Sequence, residues 1–326
     1  GKYGKAEKLL RTIVAKDSVS ASARKNLADF LNRKNFCSCM QKTSKNMIKE
    51  MYSLRPEDTK KYDFGLVLVI GGGEFYTGAP ALSGLAAFRA GADVVRVIAP
   101  KRAADIIASF SPVLAALPLD NTHLLKEHLA TLLSRTEAAK EVAHNNVSVV
   151  IGGGLGRTQE TQDTVLEFLH QVTVPVVIDA DALHAVAKDP SVLSGKPFVI
   201  TPNTFEFQLV TGREVRSLSQ EEREIAVQEE AARLQTTILL KVSTDIISNG
   251  QETLLNETGN PYLSIGGTGD TLAGIVGALL ARQVAPLKAA AAAAYINGKA
   301  GEIAAKDKKD ALIATDLLKT ICQVVI

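Results

Sequence analysis

Cysteine is scarce. There are three in 326 residues, Cys37, Cys39 and Cys322. An odd, sparse count argues against a disulfide framework and for a reducing compartment, so the expected location is cytoplasmic. Cys37-Ser-Cys39 lacks metal-ligand spacing and has no second pair, and none of the five histidines joins it in a motif. No apolar run reaches the ~18 residues that a membrane-spanning helix needs. No signal-peptide pattern opens the chain. Net charge is only +2, which gives no global case for nucleic acid. Two common phosphate motifs are also missing. No G-x-x-x-x-G-K-[ST] is present, and no G-x-G-x-x-G follows the first expected strand, so neither a Walker A loop nor a Rossmann dinucleotide site is supported. No internal repeat is visible.

What is present is a core. Apolar residues make up 46% of the chain and charged residues 22%, enough for one large α/β domain or two small ones. Charge is unevenly spread. Residues 1–61 hold 15 Lys/Arg against 6 Asp/Glu, a net of +9, which leaves −7 for the remainder. Residues 1–50 read as a helical basic extension, with Leu9, Leu10, Ile13 and Val14 as one apolar stripe. Residues 51–63 are polar and read as a linker, so the main domain is expected over 51–326.

From Phe64 short apolar runs alternate with helical stretches. Strands are expected at 66–70, 94–98, 147–151, 174–178, 198–200 and 238–242, with a hairpin-like pair at about 245–255. Helices are expected at 79–90, within 122–143, near 160–170, and at 219–234, 270–282, 287–304 and 315–323. Such alternation with fully apolar strands predicts an α/β fold: a mostly parallel sheet covered on both faces. Ligands in such sheets bind beyond the carboxyl ends of the strands. The loops 71–80, 152–156, 179–183 and 201–206 fall there.

The stretch Gly266-Gly267-Thr268-Gly269-Asp270 runs straight into a helix whose buried face is Leu272, Ile275, Val276, Leu279 and Leu280. The first N–H groups of a helix have no internal partner, and the dipole there favours negative charge, which makes an anion site. A carboxylate in such a place repels phosphate unless it has a second task. Taking a proton from a hydroxyl that attacks phosphorus is one such task. The alternative is ordinary: an acidic residue in a first helical turn is favourable by itself.

The motifs taken together resemble one family. Leu68-Val-Ile-Gly-Gly-Gly-Glu-Phe-Tyr76-Thr-Gly-Ala79-Pro80, Gly152–Gly156, Asp179-Ala-Asp181-Ala-Leu183 and Asn256-Glu-Thr-Gly-Asn-Pro261 followed by Gly266–Asp270 are similar, in order, to the motifs of the ADP/ATP-dependent NAD(P)H-hydrate dehydratases. These form a branch of the ribokinase-like superfamily, and the likeness covers about residues 54–325. The resemblance implies a three-layer ribokinase-like α/β/α fold and a lyase that repairs hydrated NADH or NADPH. In that chemistry a nucleotide phosphoryl group passes to the hydroxyl on ring carbon 6, and phosphate then leaves. It further implies ADP or ATP with Mg²⁺, a small-molecule substrate, and a symmetric homo-oligomer. By the same resemblance Asp270 is the base and also contacts the substrate. Lys241, Val242, Ser243, Thr244, Asp245, Gly267, Thr268 and Gly269 bind nucleotide. Ala79, Gly154 and Asn203 bind the hydrate, and Glu206 is a metal ligand.

The chain departs from the family pattern at several places. Gly153 stands where a proline is usual. Asn203 and Phe205 replace the histidine and glycine of T-P-H-x-G-E, so Phe205 is expected either to crowd the site or to turn inward as core. Val242 replaces a glycine after Lys241, and its Cβ is expected to narrow the backbone's approach to phosphate. Asn203-x-x-Glu206 also resembles the metal-organising motif of ribokinase-like small-molecule kinases. Two other readings therefore stand beside the first: a kinase of another hydroxyl compound, and a non-catalytic nucleotide-binding relative. For Lys241 the alternative is a strand-end lysine reaching the surface, for Ala79 and Gly154 turn geometry alone, and for Asp179 and Asp181 the capping of the next helix.

Overall fold

The computed structural model describes residues 41–52 and 54–326, so the expectations for residues 1–40 lie outside it. The chain divides between Gln41 and Lys42 into two units. A ten-stranded sheet organises the described residues, in the order β1-β10-β9-β8-β7-β6-β5-β2-β3-β4. The strands are β1 (Gln41–Lys42), β2 (Leu66–Ile70), β3 (Val94–Pro100), β4 (Ala115–Leu119), β5 (Val147–Ile151), β6 (Val176–Ile178), β7 (Phe198–Ile200), β8 (Thr237–Leu240), β9 (Asp245–Ser248) and β10 (Thr253–Asn256). From β4 to β8 every pairing is parallel. The β9–β10 hairpin adds two antiparallel strands at one side.

Alternation along each strand sends side chains to two cores. Val67, Val69, Val95 and Val97 face one, Leu66, Leu68, Ile70 and Ile98 the other. The first is covered by α2 (Gly78–Arg89), α3 (Lys101–Phe110), α9 (Thr268–Ala281), α10 (Pro286–Lys308) and α11 (Ala314–Val325). The second is covered by α4 (Leu129–Val142), α5 (Gln159–Gln171), α6 (Asp181–Val186), α7 (Thr204–Thr211) and α8 (Gln220–Leu234). Three layers result, as the alternation of the sequence predicts. The short helix α1 (Lys45–Met51) contributes Ile48 to the first core. Five elements were not in the sequence reading: α3, β4, α6, α7, and β1, which falls in the stretch read as a helical extension.

Helix α9 is the element that positions the site. Every residue from Thr271 to Ala281 is buried, because the helix packs against α2, α10, α11 and the sheet at once. Contact that close needs small residues. A Cβ at Gly274 would lie 2.1 Å from the Ser83 carbonyl oxygen of α2. The Ser83 hydroxyl in turn donates to the Asp270 carbonyl at 3.0 Å. The Ala289–Ala294 run of α10 is wholly buried, which is close helix packing, as expected from its small side chains.

Candidate active site

The carboxyl ends of β2, β5, β6, β7 and β8 converge on the first turn of α9. Gly267 is the residue before that turn, with φ +96°, and no side chain caps it. The first N–H groups of the helix are therefore left to an incoming acceptor. The Thr268 hydroxyl donates to the Leu263 and Ile265 carbonyls at 2.9 and 3.0 Å, so it ties the preceding loop to the helix.

Beside this turn lies an open cleft of about 820 Å³. Asn203, Lys241, Val242, Ser243, Asp245, Thr268 and Gly269 line it, together with residues the sequence reading did not single out, among them Thr258, Asn260, Leu272 and Asn297. Most of the nucleotide residues expected from the sequence are thus brought together. Thr244 and Gly267 are not among the lining residues. The unforeseen members come from the 258–265 loop, from Leu272 of α9 and from α10. Thr258 and Asn260 belong to the quoted Asn256–Pro261 motif, and that was the available signal.

Ala79 and Gly154 are not among the residues that line this cleft. A Cβ on Gly153 would sit 2.9 Å from Asp270 Oδ1 and 3.1 Å from the Ala79 Cβ, and one on Gly154, with φ +71°, would sit 2.8 Å from the Tyr76 Cβ. Glycine at 153 therefore leaves room for the carboxylate. Asp270 is half-buried in the first turn of α9, beside Gly153, and its neighbours Thr268 and Gly269 rather than Asp270 itself line the cleft.

The electrostatics are unusual. Burial, with the like charges of Asp179 and Asp181, pushes Asp270 up to about 7, while Lys241 partly opposes this. Lys241 is held against burial by carboxylates: its Nζ lies 2.8 Å from Asp179 Oδ1 and 3.9 Å from Glu206 Oε2. Burial alone would lower its pKa, but Asp179 and Glu206 hold it above the ordinary lysine range. A surface lysine reaching outward is not what is seen. Asp245 is pushed up to about 6 by burial. Its two oxygens accept from the Val242 amide at 3.1 Å and from Asn256 Nδ2 at 3.0 Å, which fixes the 241–245 turn.

Several departures from the family pattern resolve here. Phe205 is 63% exposed, so it neither crowds the cleft nor joins the core. At the second position of α7 it points outward, beside His184 with ring centroids 6.4 Å apart. Val242 packs partly against the second core, and its N–H is already taken by Asp245. Asn203 and Glu206 form a reciprocal cap on α7: Asn203 Oδ1 accepts from the Phe205 and Glu206 amides at 2.9 and 3.0 Å, and Glu206 Oε2 accepts from the Asn203 amide at 2.8 Å. Burial raises the Glu206 pKa, against the pull of Lys241. Asp179 and Asp181 do not cap α6. That position is Ala180, with φ +49° and no side-chain cap bond. Asp181 instead accepts from the Gly156 amide at 2.9 Å and Arg157 Nε at 2.8 Å.

No group of three or more His, Cys, Asp or Glu is placed to hold a metal among the described residues. Glu206 has its cap and Lys241, and Asp179 has Lys241 and Thr201. The donor set does not fit a protein cage for Mg²⁺. That ion binds through substrate phosphates, with one or two carboxylates and several waters, in many phosphoryl-transfer sites.

A three-layer α/β/α sheet with a glycine-rich anion turn opening a buried helix defines a ribokinase-like protein. A sequence profile of the NAD(P)H-hydrate dehydratases matches residues 67–323, and the chain belongs to that family. It is 42% identical over 274 residues to the bifunctional NAD(P)H-hydrate repair enzyme Nnr of Pyrobaculum aerophilum, covering 83% of this chain and 52% of that protein. It is 37% identical over 279 residues to the ADP-dependent (S)-NAD(P)H-hydrate dehydratase of Nitrosopumilus maritimus, covering 85% and 94%. Among solved structures, the ADP/ATP-dependent NAD(P)H-hydrate dehydratase from Bacillus subtilis, co-crystallised with ATP/Mg²⁺, aligns with a TM-score of 0.72 at 26% identity, covering 87% and 97%. The chain spans about half the length of the bifunctional relatives it matches. No helix among the described residues is long and apolar enough to cross a membrane.

Proposed function

We propose that the protein dehydrates hydrated NADH or NADPH at the expense of ADP or ATP. One observation carries the reading. Asp270, a carboxylate with a pKa near neutrality, sits at an uncapped helix start, directly after Thr268 and Gly269, which line a nucleotide-sized cleft, and beside Gly153, whose missing side chain leaves the carboxylate room.

The residues divide the work as follows. The amides of Gly267, Thr268 and Gly269 point at the migrating phosphoryl group and stabilise its charge. Lys241 supplies a positive charge on the cleft side. Asp270 takes the proton from the ring-carbon-6 hydroxyl as that oxygen attacks phosphorus, a role suited to a base that ionises near pH 7. The hydroxyl thereby becomes a phosphate ester and the donor leaves one phosphate shorter, as AMP or ADP. Phosphate then departs more readily than hydroxide, and the adjacent ring carbon loses a proton as the double bond forms. Mg²⁺, if it accompanies the donor, would be held by the donor phosphates and would screen their charge. Ala79 and Gly154, with Asn203 at the cleft edge, are assigned to the hydrate, and Ser243, Thr244 and Asp245 to the nucleotide. The reading includes a cytoplasmic location, from the sparse cysteines, and a symmetric homo-oligomer, as the family likeness implies.

The kinase reading rested on Asn203-x-x-Glu206, and that pair is occupied as a helix cap. The non-catalytic reading rested on Phe205 and Val242, neither of which fills the cleft. The test is direct: incubate the protein with hydrated NADH, Mg²⁺ and either ADP or ATP, and follow the reduced-nicotinamide absorbance. Recovery is expected with at least one nucleotide. No recovery with either overturns the proposal, and a stable phosphorylated product points to the kinase.

A further inference from the structure

Asp179 has no part in the chemistry described above, yet it lies at its centre. It is 4% exposed and directly follows β6. Its Oδ1 accepts from Thr201 Oγ1 at 2.7 Å and from Lys241 Nζ at 2.8 Å. The pair lies against the first turn of α9: a Cβ on Gly269 would be 3.5 Å from Lys241 Nζ and 3.8 Å from Asp179 Oδ2.

A structural ion pair is the plain alternative, but the surroundings leave little for one to do. Asp179, Thr201 and Lys241 follow β6, β7 and β8, which are adjacent and already joined by backbone ladders. Buried ion pairs are in any case weak stabilisers, because desolvation offsets their attraction. A buried carboxylate beside an anion site also opposes phosphate binding. Its position calls for a compensating role.

We propose that Asp179 is a positioning residue for phosphoryl transfer, holding the Lys241 ammonium against the first turn of α9 and acting through it on Asp270. The inference rests on the reading of Asp270 as the base. With Asp179 and Glu206 present, the Lys241 ammonium is held between them at the first turn of α9. Held there it is in place for the donor phosphates, and releasing it weakens nucleotide binding.

The charged groups facing Asp270 are few. Asp179 and Asp181 come from the β6–α6 junction, and Lys241 from the end of β8. Glu206 from α7 faces Lys241, and Arg157 from the β5–α5 loop is held by Asp181. Removing the Asp179 charge takes from Asp270 a like charge that weighs more on it than Lys241 does, so Asp270 becomes more acidic even where the released Lys241 moves away.

The experiment is carboxyl-carbon NMR on the free, full-length protein labelled at aspartate, with the Asp270 signal assigned from Asp270→Asn. In Asp179→Asn the Asp270 midpoint is expected to fall by about one pH unit. The acid limb of kcat/KM is expected to move down with it, and the nucleotide KM to rise. An Asp270 midpoint that stays or rises overturns the proposal. Should Asp179→Asn lose its near-UV circular dichroism, Thr201→Val removes only the hydroxyl that anchors Asp179. A raised nucleotide KM in that variant then supports the proposal, and an unchanged one overturns it. The midpoint is read without turnover. Failure of the base assignment, seen as turnover surviving in Asp270→Asn, is therefore distinguishable from failure of the role given to Asp179.

Discussion

Asp270 meets two opposed demands at the residue scale. A base must be ionised to work, and burial beside Asp179 and Asp181 disfavours ionisation. Turnover should therefore fall as pH drops through about 7, roughly tenfold per unit below it. Asp270→Asn should lower kcat about 10²–10⁴-fold, the usual share of a proton-transfer group, while nucleotide still binds. Stability should move the other way. A carboxyl whose folded pKa is raised stabilises fully below its unfolded value, ~4, and loses that contribution as pH rises through about 7. At pH 8 the wild type carries the full penalty and Asp270→Asn does not. The variant should melt higher at pH 8, by on the order of 2 kcal/mol after allowing for solvent screening, and the difference should vanish near pH 4. Thermal melts at the two pH values check this. The importance of Asp270 was legible because glycines on its N-terminal side and an apolar helix after it leave few other uses for a carboxylate. The Asp179–Lys241 contact was not legible, since it joins residues 62 positions apart.

The turn between β8 and β9 makes the argument at the scale of elements. Asp245 holds the Val242 amide, and Asn256 holds Asp245. The Asn256 side-chain oxygen also accepts the hydroxyls of Thr43 and Thr258, both at 2.8 Å. One buried amide thus links the first residues of the larger unit, the hairpin and the cleft wall. Asn256→Ala should cost about 1–3 kcal/mol by leaving those groups unpaired. It should also raise the nucleotide KM, which denaturant melts and nucleotide titration of the rate would show. Elements with strong periodicity, such as β2, α5 and α8, were readable within a residue or two. Helix α7 was missed although its start, Asn203-x-x-Glu206, has capping-box spacing. The same residues resembled a metal motif, and the chemical reading obscured the conformational one. Strand β4 was missed because Ala115–Leu119 holds a proline and exposed alanine, neither of which marks a strand.

The whole molecule couples folding to its ligand through that cleft. Its walls come from the turn after β8, the 258–265 loop, α9 and α10, so an occupant bridges segments far apart in the chain. ADP or ATP at ~100 times its dissociation constant should add about 2.7 kcal/mol to stability. A rise in melting temperature of roughly 4–5 °C should follow, measurable by calorimetry. Absence of any rise with either nucleotide would count against the cleft as the donor site. The doubly covered parallel sheet was legible as a whole, because unbroken apolar strands leave no solvent face. The shape of the cleft was not, because it depends on how two late helices lean over the hairpin. Helix α9 is enclosed on every side and gives way in no direction. A methyl group added at Gly274 would press on the Ser83 carbonyl, about 6 Å along the axis from Asp270. With no slack around it, the helix behaves as a pushrod and passes a load at its middle straight to its tip. Gly274→Ala should slow turnover more than it weakens nucleotide binding, an injury delivered from a distance by a part that touches neither ligand.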